Sequence, residues 1–146
     1  MSGTKIVVGL DGSEASKRVL GVVTQQAKAM GACEVIACYV IEWSPFTFQT
    51  AEENAQRHKR REEEISVAKE RVVDPAMAKL SDAGVNATAL VRHGNVADTL
   101  DAVARELGAD QIIVARSSDN GLSSRIFGSA TANLVMSASV PVTVVA

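Results

Sequence analysis

The sequence is poor in aromatic side chains, which make up 3% of its 146 residues, and it contains only two cysteines. A core with so few rings must be built from valine, isoleucine, leucine and alanine. Cys33 and Cys38 form no C-x-x-C pair and belong to no cysteine–histidine cluster with the spacing of a metal site. They are five positions apart, so a strand that holds both directs them to opposite faces. The sequence therefore predicts two buried, reduced thiols, as is usual in the cytoplasm.

A strong excess of charge is also missing, because the formal net charge is −2. Such a chain has no general attraction for nucleic acid or for anionic lipid. No apolar run reaches the roughly 18 residues that a membrane-spanning helix needs. The first residues lack the pattern of a signal peptide. We therefore expect a cytoplasmic protein that binds neither nucleic acid nor membrane.

The common sequence signatures of enzymes are absent as well. The chain contains no G-x-x-x-x-G-K-[ST], no G-x-G-x-x-G and no H-E-x-x-H, and it contains no G-x-S-x-G. Neither His58 nor His93 stands beside a candidate nucleophile in the sequence, which argues against a Ser–His or Cys–His hydrolase. The sequence predicts no catalytic residue, and the enzymatic alternative is a slow ATPase or a kinase-like transferase.

Valine-rich runs alternate with helical patterns along the whole chain. Runs that are apolar on both faces are typical of parallel strands covered by helices. The alternation predicts βαβ units with right-handed crossovers in a single α/β domain over residues 1–146. Pro75 lies inside a helical pattern, where it should kink or restart the helix. The expected strands are 5–10, 34–40, 86–91, 111–115 and 140–146, and the expected helices are 13–30, 50–80 with its break at Pro75, 95–107 and 129–138.

Three segments of this chain follow the carboxyl ends of predicted strands. They are 9–13, 40–43 and 115–129, and they surround one crevice if the first and fourth strands are neighbours. In open parallel sheets a ligand binds beyond the carboxyl ends of the strands, where the strand order changes direction. The second predicted strand is followed by Trp43, Phe46 and Phe48. Their aromatic side chains either cover a ligand or pack the loop against its own domain.

Two of these segments carry groups suited to a nucleotide. Gly128-Ser129 opens the last helix, and the unpaired N–H groups of a helix N-terminus attract phosphate. Glycine allows close approach of the backbone, while the hydroxyl of Ser129 can cap the helix and donate a hydrogen bond. Asp11 can accept hydrogen bonds from ribose hydroxyls or hold magnesium through water. The alternatives are structural: Gly128-Ser129 simply begins a helix, and Asp11 or Ser13 caps the first one.

Taken together, the chain resembles the universal stress protein family over essentially its whole length. The resemblance implies a Rossmann-like, five-stranded parallel sheet of order 3-2-1-4-5 with helices on both faces. It also implies a homodimer through the last strand and, in many members, ATP or AMP bound without efficient turnover. The segments that carry the resemblance are Lys5–Ser13, Gly94, Ala109–Val114, Gly121-Leu122, Gly128–Ala130 and Val140–Val145.

The nucleotide-binding branch of that family carries Gly-x-x-Gly, nine residues, and then Gly-Ser or Gly-Thr. Here Ala115 and Ser118 stand at the first two glycines, while Gly128 and Ser129 match the pattern. The resemblance implies that Gly9, Leu10 and Asp11 line the adenosine, with Asp11 at the ribose or a metal ion, and that Val40 meets the adenine through its backbone. It further implies that Ala115, Arg116 and Ser118 flank the ribose and phosphates, and that Gly128, Ser129 and Ala130 hold the phosphates.

These observations predict a regulator in the stress response that binds an adenine nucleotide. The expected ligand is ATP or AMP, with magnesium as an accompanying ion. The expected partners are a second copy of the chain and a further protein that the sequence does not identify. The alternative is a dimeric interaction protein that binds no nucleotide.

Overall fold

Five parallel strands form a single sheet in the computed structural model, which describes residues 3–42, 51–116 and 129–146. The strands have the order β3-β2-β1-β4-β5, so the order reverses between β1 and β4. The predicted α/β class and the sheet order implied by the resemblance are confirmed. The strands are β1 (Thr4–Leu10), β2 (Cys33–Ile41), β3 (Asn86–His93), β4 (Gln111–Ala115) and β5 (Val142–Val145).

Helices cover both faces of this sheet. In the part of the chain that is described, none of them is long and apolar enough to cross a membrane. The helices are α1 (Glu14–Met30), α2 (Ala51–Ala68), α3 (Asp74–Asp82), α4 (Val96–Leu107) and α5 (Ser129–Ser137), with a π-helical stretch at Lys69–Val73 between α2 and α3.

Two element boundaries are explained by proline. The expected break at Pro75 is confirmed, because this residue lies in the first turn of α3, directly after the π-helical stretch. The expected start of the last strand at Val140 is wrong, since β5 begins at Val142. Pro141 has no N–H to contribute to the sheet, although its carbonyl still accepts a hydrogen bond from the Ile112 amide at 2.9 Å.

The core consists of two aliphatic layers, one on each face of the sheet. Alternate residues of β1 enter different layers: Ile6 and Val8 face α1 and α3, whereas Val7 faces α4 and α5. The predicted aliphatic core is confirmed for the described residues, among which every buried hydrophobic residue is aliphatic or Cys38. Both layers are continuous along the strands that end at the candidate site.

The two cysteines lie on β2 and enter opposite layers, as their spacing predicts. Cys38 is fully buried, but Cys33 is only half-buried, so the expectation of two buried thiols holds for one of them. The difference arises because Cys33 is the first residue of β2, whereas Cys38 lies in its middle.

A carboxylate fastens the end of α5 to α4. Asp101 Oδ1 accepts hydrogen bonds from the Ser139 hydroxyl at 2.6 Å and from the Ser139 amide at 2.8 Å. Arg105 Nε lies 3.4 Å from Asp101 Oδ2. The hydrogen bonds from Ser139, above all, hold the pKa of Asp101 below its usual value. Asp101 therefore fixes the turn that leads into β5.

We expect the D101N substitution to lower the free energy of unfolding at pH 7 by about 1 kcal/mol, because a charge-assisted hydrogen bond is lost. The pKa is lower in the folded state, so the stabilisation is present above the ordinary aspartate pKa of about 4 and is lost as the pH falls through the lowered value. Urea unfolding between pH 2.5 and pH 7 (about six steps) measures both effects. E106Q, at an exposed position of the same helix, is the control. Equal unfolding free energies of D101N and E106Q at pH 7 would contradict this role.

Candidate functional site

A cavity of about 450 Å³ opens at the carboxyl ends of β1, β2 and β4. It lies at the reversal of strand order between β1 and β4, where ligands bind in sheets of this type. We call it the cleft. Its apolar floor contains Cys38, Val40, Val96, Leu100, Val114 and Leu134, and its polar groups come from Asp11, Glu42, Ser129 and Thr131.

Gly9 leaves the backbone of β1 accessible at the floor of the cleft. It pairs with Cys38 on the neighbouring strand, and both residues line the cavity. A Cβ atom at this position would lie 2.9 Å from Val114 Cγ1 and 3.0 Å from Leu100 Cδ1. These separations are shorter than ordinary van der Waals contact, so only glycine fits without displacing the floor.

The thiol of Cys38 is the one ionisable group in the floor. Burial raises its pKa to about 11, while the charge of Arg92 acts in the opposite direction. A thiol with this pKa is protonated at neutral pH and is a poor nucleophile. Cys38 therefore contributes a small neutral surface to the cleft.

Asp11 follows β1, and one oxygen of its carboxylate is held by hydrogen bonds to residues at the start of α1. Its Oδ1 accepts hydrogen bonds from the Ser13 amide at 2.9 Å and from the hydroxyls of Ser13 and Ser16, both at 2.6 Å. The Ser16 hydroxyl also accepts a bond from the Asp11 amide at 3.0 Å. Among the residues that the structure describes, none donates to Oδ2. The structural and functional alternatives for Asp11 are therefore compatible, because each uses a different oxygen.

Ser13 stands at the N-cap of α1, but its side chain does not accept a hydrogen bond from the helix. It donates to Asp11 instead. Gly12, between them, has a φ of +77°, a conformation that glycine adopts without strain. This tight turn holds the Asp11 carboxylate in place at the rim of the cleft.

The N-terminal turn of α5 forms another wall of the cleft. Thr131 Oγ1 donates a buried hydrogen bond of 2.9 Å to the carbonyl of Ala115, which ties the helix start to the end of β4. Ser129 and Ala130 line the cavity beside Thr131. The first N–H groups of a helix lack partners within it and carry a partial positive charge, so this wall is suited to an anion.

Seven of the ten predicted site residues line the cleft together. They are Gly9, Leu10, Asp11, Val40, Ala115, Ser129 and Ala130. Arg116 is not among the lining residues, and its amide donates to the carbonyl of Val145 at 2.8 Å. Ser118 and Gly128 lie outside the described residues, as do the aromatic side chains of Trp43, Phe46 and Phe48.

Several lining residues were not predicted as part of the site. Val96 and Leu100 belong to the apolar face of α4, and that face is readable from its periodicity. Glu42 is the second residue after Val40 and directly follows the end of β2. Its position at the carboxyl end of a predicted strand is therefore a sequence signal for a place in the site. Cys38, Tyr39, Ile41, Val114, Thr131 and Leu134 complete the set.

A second cavity, of about 500 Å³, lies between the end of β2 and α2. Tyr39 and Val67 contribute to its apolar surface, and its charged residues are of both signs, with Arg60 and Glu63 among them. It contains none of the predicted site residues. The cleft at the strand reversal is therefore the better candidate for a binding site.

Comparison with known proteins gives one family and several similar folds. The family model described as universal stress protein family matches residues 3–146. Proteins with curated descriptions include none that matches this chain. The solved structure of the hypothetical protein MJ0577 is 23% identical, covers 99% of this chain and 96% of its own, and has a TM-score of 0.83.

Two further solved structures are similar to the chain and are named with a nucleotide. The universal stress protein from Archaeoglobus fulgidus in complex with dAMP is 22% identical, covers 100% of both chains and has a TM-score of 0.67. A universal stress protein family protein from Arabidopsis thaliana with AMP bound is 16% identical, covers 97% of this chain and 90% of its own, and has a TM-score of 0.66. At these identities the structural likeness shows the fold.

We expect the G9A substitution to lower the free energy of unfolding by about 2 kcal/mol, because the added methyl group overpacks the floor between Val114 and Leu100. G21A is the matched control, since a Cβ at Gly21 in α1 meets no atom within 4 Å and should stabilise the helix slightly. Urea unfolding of both variants measures the difference. A G9A protein as stable as G21A would show that the floor accommodates the added methyl group without overpacking.

Proposed function

Because the chain belongs to the universal stress protein family, we propose that it is a stress-response regulator that binds an adenine nucleotide in the cleft. The observation that carries the proposal is the combination of groups around one cavity: an apolar floor, the Asp11 carboxylate and the N-terminal turn of α5. These three kinds of group complement an adenine ring, ribose hydroxyls and a phosphate, respectively.

Each part of the nucleotide would meet a group of matching chemistry. The aliphatic side chains of Leu100 and Leu134 would pack on the base, and the backbone of Val40 would contact its edge. Asp11 Oδ2 would accept from a ribose hydroxyl, since an ionised carboxylate is an acceptor only. The first N–H groups of α5 and the hydroxyl of Ser129 would bind phosphate. The AMP and dAMP named with two similar structures support a ligand of this class.

Magnesium fits this site only together with the phosphates of a ligand. Within residues 3–42, 51–116 and 129–146, no group of three or more histidine, cysteine, aspartate or glutamate side chains could hold a metal ion. Magnesium commonly binds through one or two carboxylates, several waters and the phosphates of a nucleotide. Asp11 would be the protein ligand, through its Oδ2 atom, and the ion would offset the charge of ATP.

The proposed role is signalling by binding. The bound nucleotide would change the surface around the cleft that a protein partner meets, and the cytoplasm is the proposed location. The cleft lies at the strand ends beside α4 and α5, so a ligand there contacts three strands and two helices. The alternative function is a dimeric interaction protein without a nucleotide, and it predicts that no adenine nucleotide binds in the cleft.

We further propose that two copies of the chain pair through β5. This strand lies at the edge of the sheet and carries no charged residue. The Ile112 amide bonds to the Pro141 carbonyl at 2.9 Å and the Arg116 amide to the Val145 carbonyl at 2.8 Å, so positions 141 and 145 face β4. Since backbone groups alternate along a strand, those of Val142 and Val144 point to the outer edge. A two-fold axis would pair these edges in an antiparallel manner.

We expect the protein to bind AMP at about one per chain, and A130E to weaken this binding at least about tenfold, because a carboxylate would stand where the helix N-terminus meets phosphate. N133E adds the same charge to the same helix at an exposed position outside the cleft, and it should change the affinity less than about twofold. Titration calorimetry of the three proteins makes this comparison. Absence of any binding of adenosine, AMP or ATP to the wild type would favour the alternative without nucleotide.

We expect V144P to convert the dimer to a monomer, because proline removes an outward N–H that pairs the two edges while it leaves the bonds to β4 in place. V144A is the matched control, since it also shortens the side chain but keeps the N–H group. Light scattering gives the mass of each protein, and circular dichroism confirms that each is folded. A wild type with the mass of one chain at all concentrations would contradict the proposed dimer, and equal masses of V144P and V144A would contradict pairing through this edge.

A further inference from the structure

A π-helical turn lies against the loop that carries Asp11. It consists of Lys69–Val73, and the amide of Asp74 donates to the carbonyl of Lys69, five residues earlier. Pro75 comes next and has no N–H group with which to continue regular α-helical bonding. Single π-helical turns within helices are rare, and they frequently lie at functional sites. The proposed function does not yet give this turn a role.

Val72 is the residue of the π-helical turn that reaches the Asp11 loop. A Cβ atom at Gly12 would lie 3.1 Å from Val72 Cγ2. Among the described residues other than Asp11 and Ser13, Val72 is the one that such an atom would meet within 4 Å. The side chain of Val72 therefore packs on the face of Gly12 that a larger residue would cover with its own Cβ.

The loop is thus supported from two sides. On one side, Ser13 and Ser16 donate hydrogen bonds to Asp11 Oδ1 and fix the carboxylate relative to the first turn of α1. On the other side, Val72 limits by van der Waals contact how far Gly12 can move towards the π-helical turn. The position of Asp11 Oδ2 in the cleft depends on both supports, because Gly12 directly follows Asp11.

Val72 acts from outside the cleft. It is absent from the described lining of the cleft, and it lines the second cavity together with Tyr39 and Ile41. This cavity leaves space beside Val72, so a shorter side chain would enlarge it. No other described neighbour lies close enough to Gly12 to take over the contact.

We propose that Val72 is a positioning residue for nucleotide binding, and that the π-helical turn, through Val72, holds the Asp11 carboxylate where it accepts from the ribose hydroxyls. This inference rests on the proposed binding of an adenine nucleotide. The effect is specific for the sugar, because Val72 supports the loop of Asp11 and does not belong to the surfaces proposed for the base and the phosphate.

The experiment is titration calorimetry of wild type and V72A with AMP and with 2′,3′-dideoxy-AMP, which lacks both ribose hydroxyls. Wild type should bind AMP at least about fivefold more tightly than the dideoxy compound, because a hydrogen bond to a charged group is lost. V72A should weaken the binding of AMP about fourfold and that of the dideoxy compound less than about 1.5-fold. A general loss of stability would alter both affinities alike.

V67A is the matched control. Val67 precedes the π-helical turn and lines the same second cavity, but a Cβ at Gly12 would not meet it within 4 Å. V67A removes the same two methyl groups as V72A and should leave both affinities unchanged. Circular dichroism confirms that each variant is folded.

Hydrogen exchange of the wild type tests the same coupling without a substitution. Coupling between two sites is reciprocal, so a ribose held by Asp11 should in turn stabilise the π-helical turn. At saturation, AMP should slow amide exchange in residues 69–74 at least about twofold more than the dideoxy compound does. Residues 78–82, at the far end of α3, are the internal reference and should respond equally to both ligands.

Each contrary result overturns a different step. V72A that binds AMP as tightly as wild type, or equal slowing of exchange in residues 69–74 by both ligands, would refute the positioning role and leave nucleotide binding intact. Equal losses for the two ligands in V72A would refute its specificity for the sugar. Equal affinities of wild type for the two ligands would refute the ribose contact that Val72 is proposed to support. A wild type that binds neither ligand would refute the proposed function itself.

Discussion

The reversal of strand order between β1 and β4 is the constraint on which the rest of the structure depends. From β1 the chain moves outward through β2 to β3, and from β4 it moves outward in the other direction to β5. Right-handed crossovers then require the helices of the two halves to cover opposite faces of the sheet. The two core layers agree with this rule, since α1 and α3 lie on one face and α4 and α5 on the other. The helices that follow β1 and β4 along the chain, α1 and α5, therefore lie on opposite faces, and the cleft opens at the strand ends where the order reverses.

Packing around the end of β1 keeps that space open. Strand interiors usually favour a side chain that fills the neighbouring layer, yet at Gly9 the side chains of Val114 and Leu100 take up that space. Val114 and Leu100 approach so closely that a methyl group has no room there, while the thiol of Cys38 fills the adjacent position on β2. The floor is thus closely packed and neutral, and the polar groups of the lining lie at the strand ends and in the first turn of α5. Such a division favours a ligand with one apolar end and one polar end.

Much of this arrangement could be predicted from the sequence, because it depends on local periodicity and on the order of elements. Strand and helix patterns, the break at Pro75 and the opposite faces of Cys33 and Cys38 are all local properties. Two expectations failed at element ends: Pro141 withholds the N–H that would begin β5 two residues earlier, and Cys33 is less covered at the start of β2 than a core cysteine. The place of Glu42 in the cleft lining was not predictable from a motif, because it depends on where β2 ends relative to β1 and β4.

Asp11 shows why sequence alone could not decide between a structural and a functional role. Its spacing to Ser13 suggests a cap, and its place after β1 suggests a ligand contact. The three-dimensional arrangement assigns Oδ1 to Ser13 and Ser16, so the carboxylate is held in a fixed orientation before any ligand arrives. Preorganisation of this kind lowers the entropy that binding would otherwise cost. It also keeps the Asp11 carboxylate at the rim of the cleft, where its Oδ2 atom has no donor among the described residues. One hydrogen-bonded turn therefore both leads into α1 and positions a carboxylate at the cleft.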